Sequence, residues 1–183
     1  MWDKLAEWDR DLFIYLNSLG VDDYDRFWIF VTKIEHWIPL YLLFFTLFFF
    51  VYRRKQAFIG IGLTLLTLIS TLTVTNVVKV TVGRLRPNNV IELSDIIRVL
   101  QTPENFSFFS GHAAVSFAVT TFVVLALRVR FKWVYLFYSW PVLFIMSRIL
   151  VGVHYPGDIL VGALVGTFIG VCIWKLLGKK ILL

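Results

Sequence analysis

One histidine of this chain is followed by an acidic residue at a spacing that suits both helix capping and acid–base chemistry. His154 precedes Asp158 by four residues in "SRILVGVHYPGD", and Pro156-Gly157 between them indicates a turn. Asp158 can then cap the next helix and also hold one ring nitrogen of His154. Such a carboxylate fixes the tautomer and stabilises the imidazolium, which prepares the other nitrogen for attack. A helix cap beside a loop histidine is the alternative for this segment alone.

A second histidine stands at the start of an apolar run. His112 follows Ser110 and Gly111 in "FSFFSGHAAVSFAVTTF". A helix that begins here offers free backbone N–H groups and a positive dipole end, which suit a phosphate. Gly111 lets the backbone approach a ligand closely, and Ser110 can cap the helix and donate its hydroxyl. An ordinary capped helix with an interfacial histidine is the alternative for this segment alone.

Three basic residues lie at the ends of apolar runs. Lys79 ends one run, Arg86 follows seven residues later in "KVTVGRLRP", and Arg148 ends another run. If the helix that carries Lys79 continues, Arg86 lies on the same face about 10 Å away. Both side chains could then converge on one anion, with Pro87 as the expected end of the helix. For Lys79 alone, snorkelling to the membrane interface is the alternative.

The composition is that of one integral membrane domain: 58% of the 183 residues are hydrophobic and 16% are charged. Five apolar runs without a charged residue are candidate spans, at positions 37–52, 57–78, 111–127, 133–147 and 159–174. The bilayer core contains no water that could form hydrogen bonds with the backbone, so each backbone group must be bonded within the protein. These runs therefore predict an all-α helical membrane bundle. The single cysteine excludes a disulfide framework, and the histidine spacing is not that of a metal site. The basic residues form no continuous stripe, so we expect no nucleic-acid partner.

Residues 1–36 differ from the rest, with eight acidic residues against four basic ones. We expect an amphipathic interfacial helix, a turn at Gly20 and a second helix from about Asp22. The second helix could enter the membrane, so the expected bundle has five to six transmembrane helices. The expected single domain, 1–183, comprises N-terminal interfacial helices (1–36) and a transmembrane catalytic bundle (37–177). The apolar stripe of the first helix is formed by Leu5, Trp8, Leu12, Ile14 and Leu16.

The basic residues also predict an orientation. Nine of them fall on one side of a five-span arrangement, which the positive-inside rule makes cytoplasmic: Arg53, Arg54, Lys55, Arg128, Arg130, Lys132, Lys175, Lys179 and Lys180. Five others fall on the opposite side and need a different role: Lys79, Arg84, Arg86, Arg98 and Arg148. On that opposite side the end of span two, the start of span three, the end of span four and the start of span five meet. The candidate residues should therefore gather at one depth of the outer face, with the C-terminus cytoplasmic.

The three segments together resemble the signature of the type 2 phosphatidic acid phosphatase superfamily. The matching patterns are K-x6-R-P from Lys79, S-G-H from Ser110, and S-R-x5-H-x3-D from Ser147. Members of this superfamily include lipid phosphate phosphatases, undecaprenyl diphosphate phosphatases and lipid A phosphatases. Phe109 departs from the pattern, because the family usually has proline before Ser-Gly-His. We expect this change to adjust only the geometry of the loop.

The resemblance implies a hydrolase that needs no metal and no cofactor and acts on a lipid phosphate at the membrane surface through a phosphohistidine. His154 would be the nucleophile, Asp158 would orient it, and His112 would be the general acid and base. The implied phosphate ligands are Lys79, Arg86, Ser110, Gly111 and Arg148. The implied partners are a lipid substrate and the bilayer. The implied location is the bacterial inner membrane, with the active site on the periplasmic face.

The amino-acid sequence alone leaves several functions open. Undecaprenyl diphosphate is slightly preferred as the substrate. The alternatives are lipid A 1-phosphate, phosphatidylglycerol phosphate, phosphatidic acid, or phosphotransfer by the same site. An anion channel or transporter would explain the basic residues, but it would leave the histidines and Asp158 without a role. The loop from 88 to 108 mixes charged and apolar residues, and we expect a flap on the bilayer that selects the head group.

Overall fold

The computed structural model describes residues 2–182, and this part of the chain is helical without any strand. The α-helices are α1 (Trp2–Ser18), α2 (Asp25–Thr32), α3 (Ile38–Val51), α4 (Arg54–Val82), α5 (Gly111–Leu127), α6 (Ser139–Leu150), α7 (Pro156–Ile173) and α8 (Lys179–Leu182). Short 3₁₀ segments cover Asp22–Tyr24, Ile34–Trp37, Pro87–Asn89, Ile91–Leu93 and Lys132–Tyr138, and a π-helical turn covers Trp174–Gly178. The expected all-α class is confirmed.

Four helical stretches are long and apolar enough to cross a membrane, judged by length and composition: Ile34–Val51, Arg54–Leu93, Lys132–Leu150 and Pro156–Leu182. The apolar helix α5 is shorter, with 17 residues, and most of its side chains are buried because α4, α6 and α7 surround it. All five predicted runs therefore lie in helices of a membrane bundle. The number of helices that cross the bilayer stays a prediction.

The helices α5 and α7 form the closest helix pair of the bundle. Gly162, Gly166 and Gly170 recur every fourth residue on α7 and face the carbonyl oxygens of Ser110, Ala114 and Ala118 on α5. A side chain at any of these glycines would overlap the α5 backbone, so the small residues permit the close approach. This contact brings the N-terminal ends of α5 and α7 together.

The end of α4 differs from the sequence expectation. The helix stops at Val82 because Gly83 adopts a left-handed conformation (φ 64°), and the Gly83 N–H donates to the Lys79 carbonyl at 3.0 Å. Arg86 lies beyond this point with an extended backbone (φ −77°, ψ 155°). The expectation that Lys79 and Arg86 share one helical face is therefore wrong. The two side chains reach the same cavity from a helix and from a loop.

The N-terminal segment contains the two predicted helices, α1 and α2, on either side of the turn near Gly20. Leu5, Trp8 and Leu12 of the predicted stripe are exposed at the protein surface. Phe13 and Asn17 of α1 are buried instead. The Asn17 amide donates to the carbonyl oxygens of Arg98 (3.0 Å) and Ile149 (2.9 Å) and accepts from the Arg98 N–H (2.7 Å). The helix is therefore docked on the bundle by one face, with Ile14 of the stripe packed beside Phe13, while Leu5, Trp8 and Leu12 remain exposed.

Candidate active site

A carboxylate and a hydroxyl hold one side of the His154 ring. His154 lies in the loop between α6 and α7 and is fully buried. Its Nδ1 atom is 3.2 Å from Ser107 Oγ and 3.4 Å from Asp158 Oδ2, and the Ser107 hydroxyl donates to the same carboxylate oxygen. Asp158 Oδ2 also accepts the Tyr155 N–H at 3.2 Å, which caps α7. This arrangement favours the tautomer with the proton on Nδ1 and leaves Nε2 with a free electron pair.

The free nitrogen of His154 points at the Arg86 guanidinium. Arg86 Nη1 lies 3.0 Å from His154 Nε2 and 3.0 Å from the Val153 carbonyl oxygen. The other side of the guanidinium donates to Asn105, from Nε to its carbonyl at 2.8 Å and from Nη2 to its side-chain oxygen at 2.6 Å. A buried cation therefore stands directly in front of the atom that could act as a nucleophile.

The surroundings of His154 keep its ring neutral. Burial is the main reason that the pKa of His154 lies well below its ordinary value near 6.5, and the positive charges of Arg86, Arg148, Lys79 and Arg84 lower it further. The unprotonated form is the nucleophilic one. The buried ring of His154 is therefore held in its uncharged form.

The Ser110-Gly111-His112 segment begins α5, as expected. Ser110 is the N-cap and its hydroxyl accepts the Ala113 N–H at 3.4 Å, while the Ser110 N–H donates to the Asp158 carbonyl oxygen at 3.0 Å. The His112 ring packs against Phe144, with 5.0 Å between ring centroids. Within residues 2–182, His112 makes no hydrogen bond to a protein atom, so both ring nitrogens are available to a ligand.

Two predicted phosphate ligands hold parts of the surrounding loops. Lys79 Nζ donates to the carbonyl oxygens of Phe106 and Ser107, the second at 3.1 Å. Arg148 Nη1 donates to Thr32 Oγ1 and to Gln101 Oε1, the second at 3.1 Å. Arg148 Nε is buried and has no partner among the described residues. Each cation therefore keeps N–H donors that these contacts do not use.

One cavity of about 430 Å³ joins these groups. Five predicted site residues line it: Lys79, Arg86, Gly111, His112 and His154. Ser110, Asp158 and Arg148 are not among the lining residues, and Asp158 contacts the lining through His154 Nδ1. The cavity continues as an apolar slot lined by Ile34, Trp37, Tyr41, Leu68, Leu72, Trp140 and Phe144. The opening therefore combines a cationic end with a hydrocarbon-like end.

The comparison with known families agrees with this geometry. The family model of the PAP2 superfamily matches residues 60–182, which is 123 of the 183 residues and includes all three motifs. The chain belongs to the PAP2 superfamily. The resemblance drawn from the motifs is confirmed, and with it the class of enzyme, a membrane phosphatase that acts on lipid phosphates.

Relatives of this PAP2 chain carry different substrate names. A lipid A 4'-phosphatase from Bacteroides thetaiotaomicron is 28% identical over 176 residues, covering 93% of this chain and 77% of the relative. An undecaprenyl-diphosphatase from Sulfolobus acidocaldarius is 28% identical over 164 residues, covering 87% of this chain and 73% of the relative. The crystal structure of a transmembrane PAP2 type phosphatidylglycerolphosphate phosphatase from Bacillus subtilis has the same fold. Its TM-score is 0.77 at 21% identity, covering 97% of this chain and 88% of that chain.

Several residues that support the PAP2 motifs were not predicted from the sequence. Arg84 Nη1 donates to Asp158 Oδ1 at 2.7 Å, Arg84 Nη2 donates to Asp9 Oδ2 at 2.8 Å, and the guanidinium lies 4.0 Å from the centre of the Tyr155 ring. Arg84 had been noted only as a basic residue in need of a role. Ser107 carried a weak signal, as a polar residue between phenylalanines, whereas nothing in the sequence pointed to Asp9.

The side chains that could bind a metal ion are the subject of one expectation, hydrolysis without a metal. Among residues 2–182, no group of three or more His, Cys, Asp or Glu side chains is placed to hold a metal ion. The positive charges around His154 come from Lys79, Arg84, Arg86 and Arg148. Phe109, which replaces the usual proline, is buried beside Ser110.

Proposed function

We propose that this chain hydrolyses a lipid phosphate or diphosphate at the membrane surface through a phosphohistidine on His154, without a metal ion. One observation carries the proposal. His154 is held from Nδ1 by Ser107 and Asp158, and its Nε2 faces Arg86 inside a cavity that His112 also lines. A nucleophile, a cation and a second histidine therefore share one opening, and the orienting acid lies against the other side of the nucleophile.

The first step is attack on phosphorus by His154. A phosphate oxygen takes the place of Nε2 as the acceptor for Arg86 Nη1, which leaves the Nε2 electron pair for the new P–N bond. The P–O bond to the leaving group breaks, and His112, which takes up a proton from the bound phosphate group, gives that proton to the leaving oxygen. Asp158 and Ser107 stabilise the positive ring that results, because both already contact Nδ1.

The second step frees the enzyme. His112, now neutral, accepts a proton from water as the water oxygen attacks phosphorus. The P–N bond breaks, inorganic phosphate leaves, and His154 returns to its neutral form. The unused donors of Lys79 and Arg148, the Gly111 N–H and the Ser110 hydroxyl would stabilise the phosphate oxygens. Catalysis then consists mostly of positioning and charge stabilisation.

The apolar slot supports a lipid substrate. On α4 it extends from Lys79 to Leu68, eleven residues that correspond to about 16 Å of helix. The aromatic side chains of Trp37, Trp140 and Phe144 also line this slot. A slot of this length suits an acyl or prenyl chain whose phosphate lies at the cationic end.

Two substrates are the first candidates. Lipid A phosphate is favoured by the relative from Bacteroides thetaiotaomicron. Undecaprenyl diphosphate, the substrate slightly preferred from the sequence, is favoured by the relative from Sulfolobus acidocaldarius. Phosphate release from both lipids, assayed in parallel with phosphatidylglycerol phosphate and phosphatidic acid, separates these possibilities.

The decisive experiment compares the wild type with His154→Ala. We expect phosphate release from at least one of the four lipids by the wild type and none by His154→Ala. Brief incubation of the wild type with a ³²P-labelled substrate, followed by denaturation, should leave an acid-labile label on the protein that His154→Ala lacks. Release that continues in His154→Ala would overturn the proposed mechanism. An anion channel or transporter would release no phosphate in either protein.

We further propose that the site opens on the outer face of the membrane and that the C-terminus is cytoplasmic. The proposal rests on the nine basic residues of the opposite side. The single native cysteine, Cys172, allows a clean test. In a Cys172→Ser background, a cysteine at the exposed Ile91 should react with a membrane-impermeant maleimide in intact cells. A cysteine at the exposed Arg130 should react only after lysis, and the reverse pattern would invert the orientation.

A further inference from the structure

The N-terminal helix supplies a carboxylate to the side of the site that faces away from the cavity. Asp9 of α1 binds two groups there: its Oδ2 pairs with Arg84 Nη2 at 2.8 Å, and its Oδ1 accepts the Gly157 N–H at 2.6 Å. Arg84 in turn pairs with Asp158 Oδ1 at 2.7 Å. A continuous chain of charged groups therefore runs from α1 to the carboxylate that contacts His154.

The two oxygens of Asp158 have different partners. Oδ1 faces Arg84, while Oδ2 accepts from Ser107 and Tyr155 and lies beside His154 Nδ1. Arg84 could draw the carboxylate toward itself and neutralise it, which would weaken the support for a positive His154 ring. Asp9 provides Arg84 with a second anion. The positive charge of Arg84 is thus shared between two carboxylates.

The backbone at the start of α7 is adapted to the same carboxylate. A Cβ atom added to Gly157 would lie 2.9 Å from Asp9 Oδ2 and 3.1 Å from Oδ1. Glycine therefore leaves the room that the Asp9 carboxylate occupies against the Gly157 N–H. Since Gly157 precedes Asp158 directly, this hydrogen bond also holds the first turn of α7.

We propose that Asp9 is a positioning residue, which acts through Arg84 and Gly157 on Asp158 and His154, so that the N-terminal helix is part of the catalytic unit. This inference rests on the proposed function. Asp9 touches no reacting atom. Its contribution is to the orientation of Asp158 and to the charge that His154 experiences when it becomes phosphorylated.

Other contacts keep α1 in place when Asp9 is changed. The Phe13 ring packs edge-on against Tyr155, with 5.4 Å between centroids. Asn17 makes three hydrogen bonds to the backbone of Arg98 and Ile149. Asp9→Asn, which keeps the size of the side chain and an acceptor oxygen, should therefore remove the charge without releasing the helix.

The test compares Asp9→Asn with Asp11→Asn. Asp11 lies two residues further on the same helix, is exposed and makes no ion pair within the described part of the chain, so its variant is matched in charge and chemistry. We expect kcat for lipid phosphate hydrolysis to fall about tenfold in Asp9→Asn, with KM within twofold of the wild type, because a charge-assisted contact is lost. Asp11→Asn should keep the wild-type kcat. Asp9→Glu should recover part of the rate.

A double-mutant cycle separates positioning from general destabilisation. In an Arg84→Gln background, Asp9→Asn should cause a clearly smaller fall in kcat than in the wild type, because the link through Arg84 is already broken and only the Gly157 contact remains. A full tenfold fall that persists in this background would overturn the route through Arg84. If Asp9→Asn does not fold, Arg84→Lys carries the same test, since lysine keeps the charge but cannot bridge both carboxylates. An unchanged kcat in Arg84→Lys would overturn the inference.

The failure of this inference can be distinguished from failure of the proposed function. Phosphate release that is present in the wild type and absent in His154→Ala supports the proposed function whatever Asp9 does. Equal kcat values of Asp9→Asn and Asp11→Asn would then overturn the positioning role alone. A wild type without any lipid phosphatase activity would instead contradict the proposed function.

Discussion

At Gly162, in the contact between α5 and α7, one added methyl group should push the two helices apart. His112 at the start of α5 would then move away from His154 and Asp158 near the start of α7. A Cβ atom at Gly162 would lie 2.6 Å from the Ser110 carbonyl oxygen and 3.1 Å from Ala113 Cβ. Ordinary van der Waals contact begins at 3.4 Å, so the helices must move apart by about 0.8 Å (3.4 − 2.6). A backbone oxygen and a Cβ atom cannot rotate away as the end of a flexible side chain can.

This displacement acts on the bond that joins the two helix ends. The Ser110 N–H donates to the Asp158 carbonyl oxygen at 3.0 Å, and a further 0.8 Å would break it. His154 and Asp158 would then shift relative to His112. A misplacement of about 1 Å can cost roughly 100-fold in rate, so we expect Gly162→Ala to lower kcat by about 30- to 100-fold. Overpacking should cost about 1–3 kcal/mol of stability, which the better helix propensity of alanine offsets by only about 1 kcal/mol.

The matched control is Gly62→Ala, the same substitution on α4 at a place where a Cβ atom meets nothing within 4 Å. Phosphate release and the midpoint of thermal unfolding should be measured for both variants in one detergent. Gly62→Ala should keep the wild-type kcat and unfold at an equal or higher temperature. If Gly162→Ala matched Gly62→Ala in both measurements, the close approach of α5 and α7 would not be what assembles the site.

Four further outcomes are expected. Asp158→Asn should bind a lipid phosphate with nearly unchanged affinity but turn it over at least 100-fold more slowly, and a near-normal rate would remove Asp158 from the mechanism. Because burial and neighbouring cations keep the pKa of His154 well below 6.5 in the folded protein, only the unfolded state gains this proton as pH falls. The free energy of unfolding of the wild type should therefore decrease relative to that of His154→Gln by up to about 1.4 kcal/mol per pH unit below pH 6.5. An equal pH dependence of the free energy of unfolding in the two proteins would contradict this. Leu72→Trp should fill the slot and slow hydrolysis of long-chain substrates but not of a short-chain phosphate, whereas Leu66→Trp, which lies outside the slot, should affect neither. Vanadate should inhibit and chelators should not, and loss of activity with EDTA would contradict hydrolysis without a metal.

The apolar runs were sufficient to predict the bundle, because every uncharged run became a helix. The end of α4 was not predicted, although the sequence contained a usable signal. Gly83 lies after the last helical residue and takes up the left-handed conformation that commonly ends helices. Pro87, the helix breaker on which the prediction was based, lies four residues beyond Gly83. Arg86 falls between the two and belongs to the loop.

The site residues were predictable as a group because helix ends on one side of a bundle must meet. Their supporting partners were not, because they come from distant parts of the chain without any local pattern. Asp9 meets Gly157 across 148 positions, and Thr32 meets Arg148 across 116. Such pairs depend on how α1 and α2 dock, and only the three-dimensional structure contains that information.

The cations of the site also explain why the loop before α5 folds as it does. Lys79 binds the carbonyl oxygens of Phe106 and Ser107, and Arg86 binds Asn105 through two atoms. A buried positive charge without partners is strongly unfavourable, so each cation draws a stretch of loop backbone around itself and places Ser107 against Asp158. Removing a cation should therefore disturb both the charge of the phosphate site and the loop that orients His154. Lys79→Ala would remove the charge and the loop contacts together, whereas Lys79→Arg keeps the charge and changes the geometry, so a fall in kcat of Lys79→Arg relative to the wild type measures what the geometry contributes at constant charge.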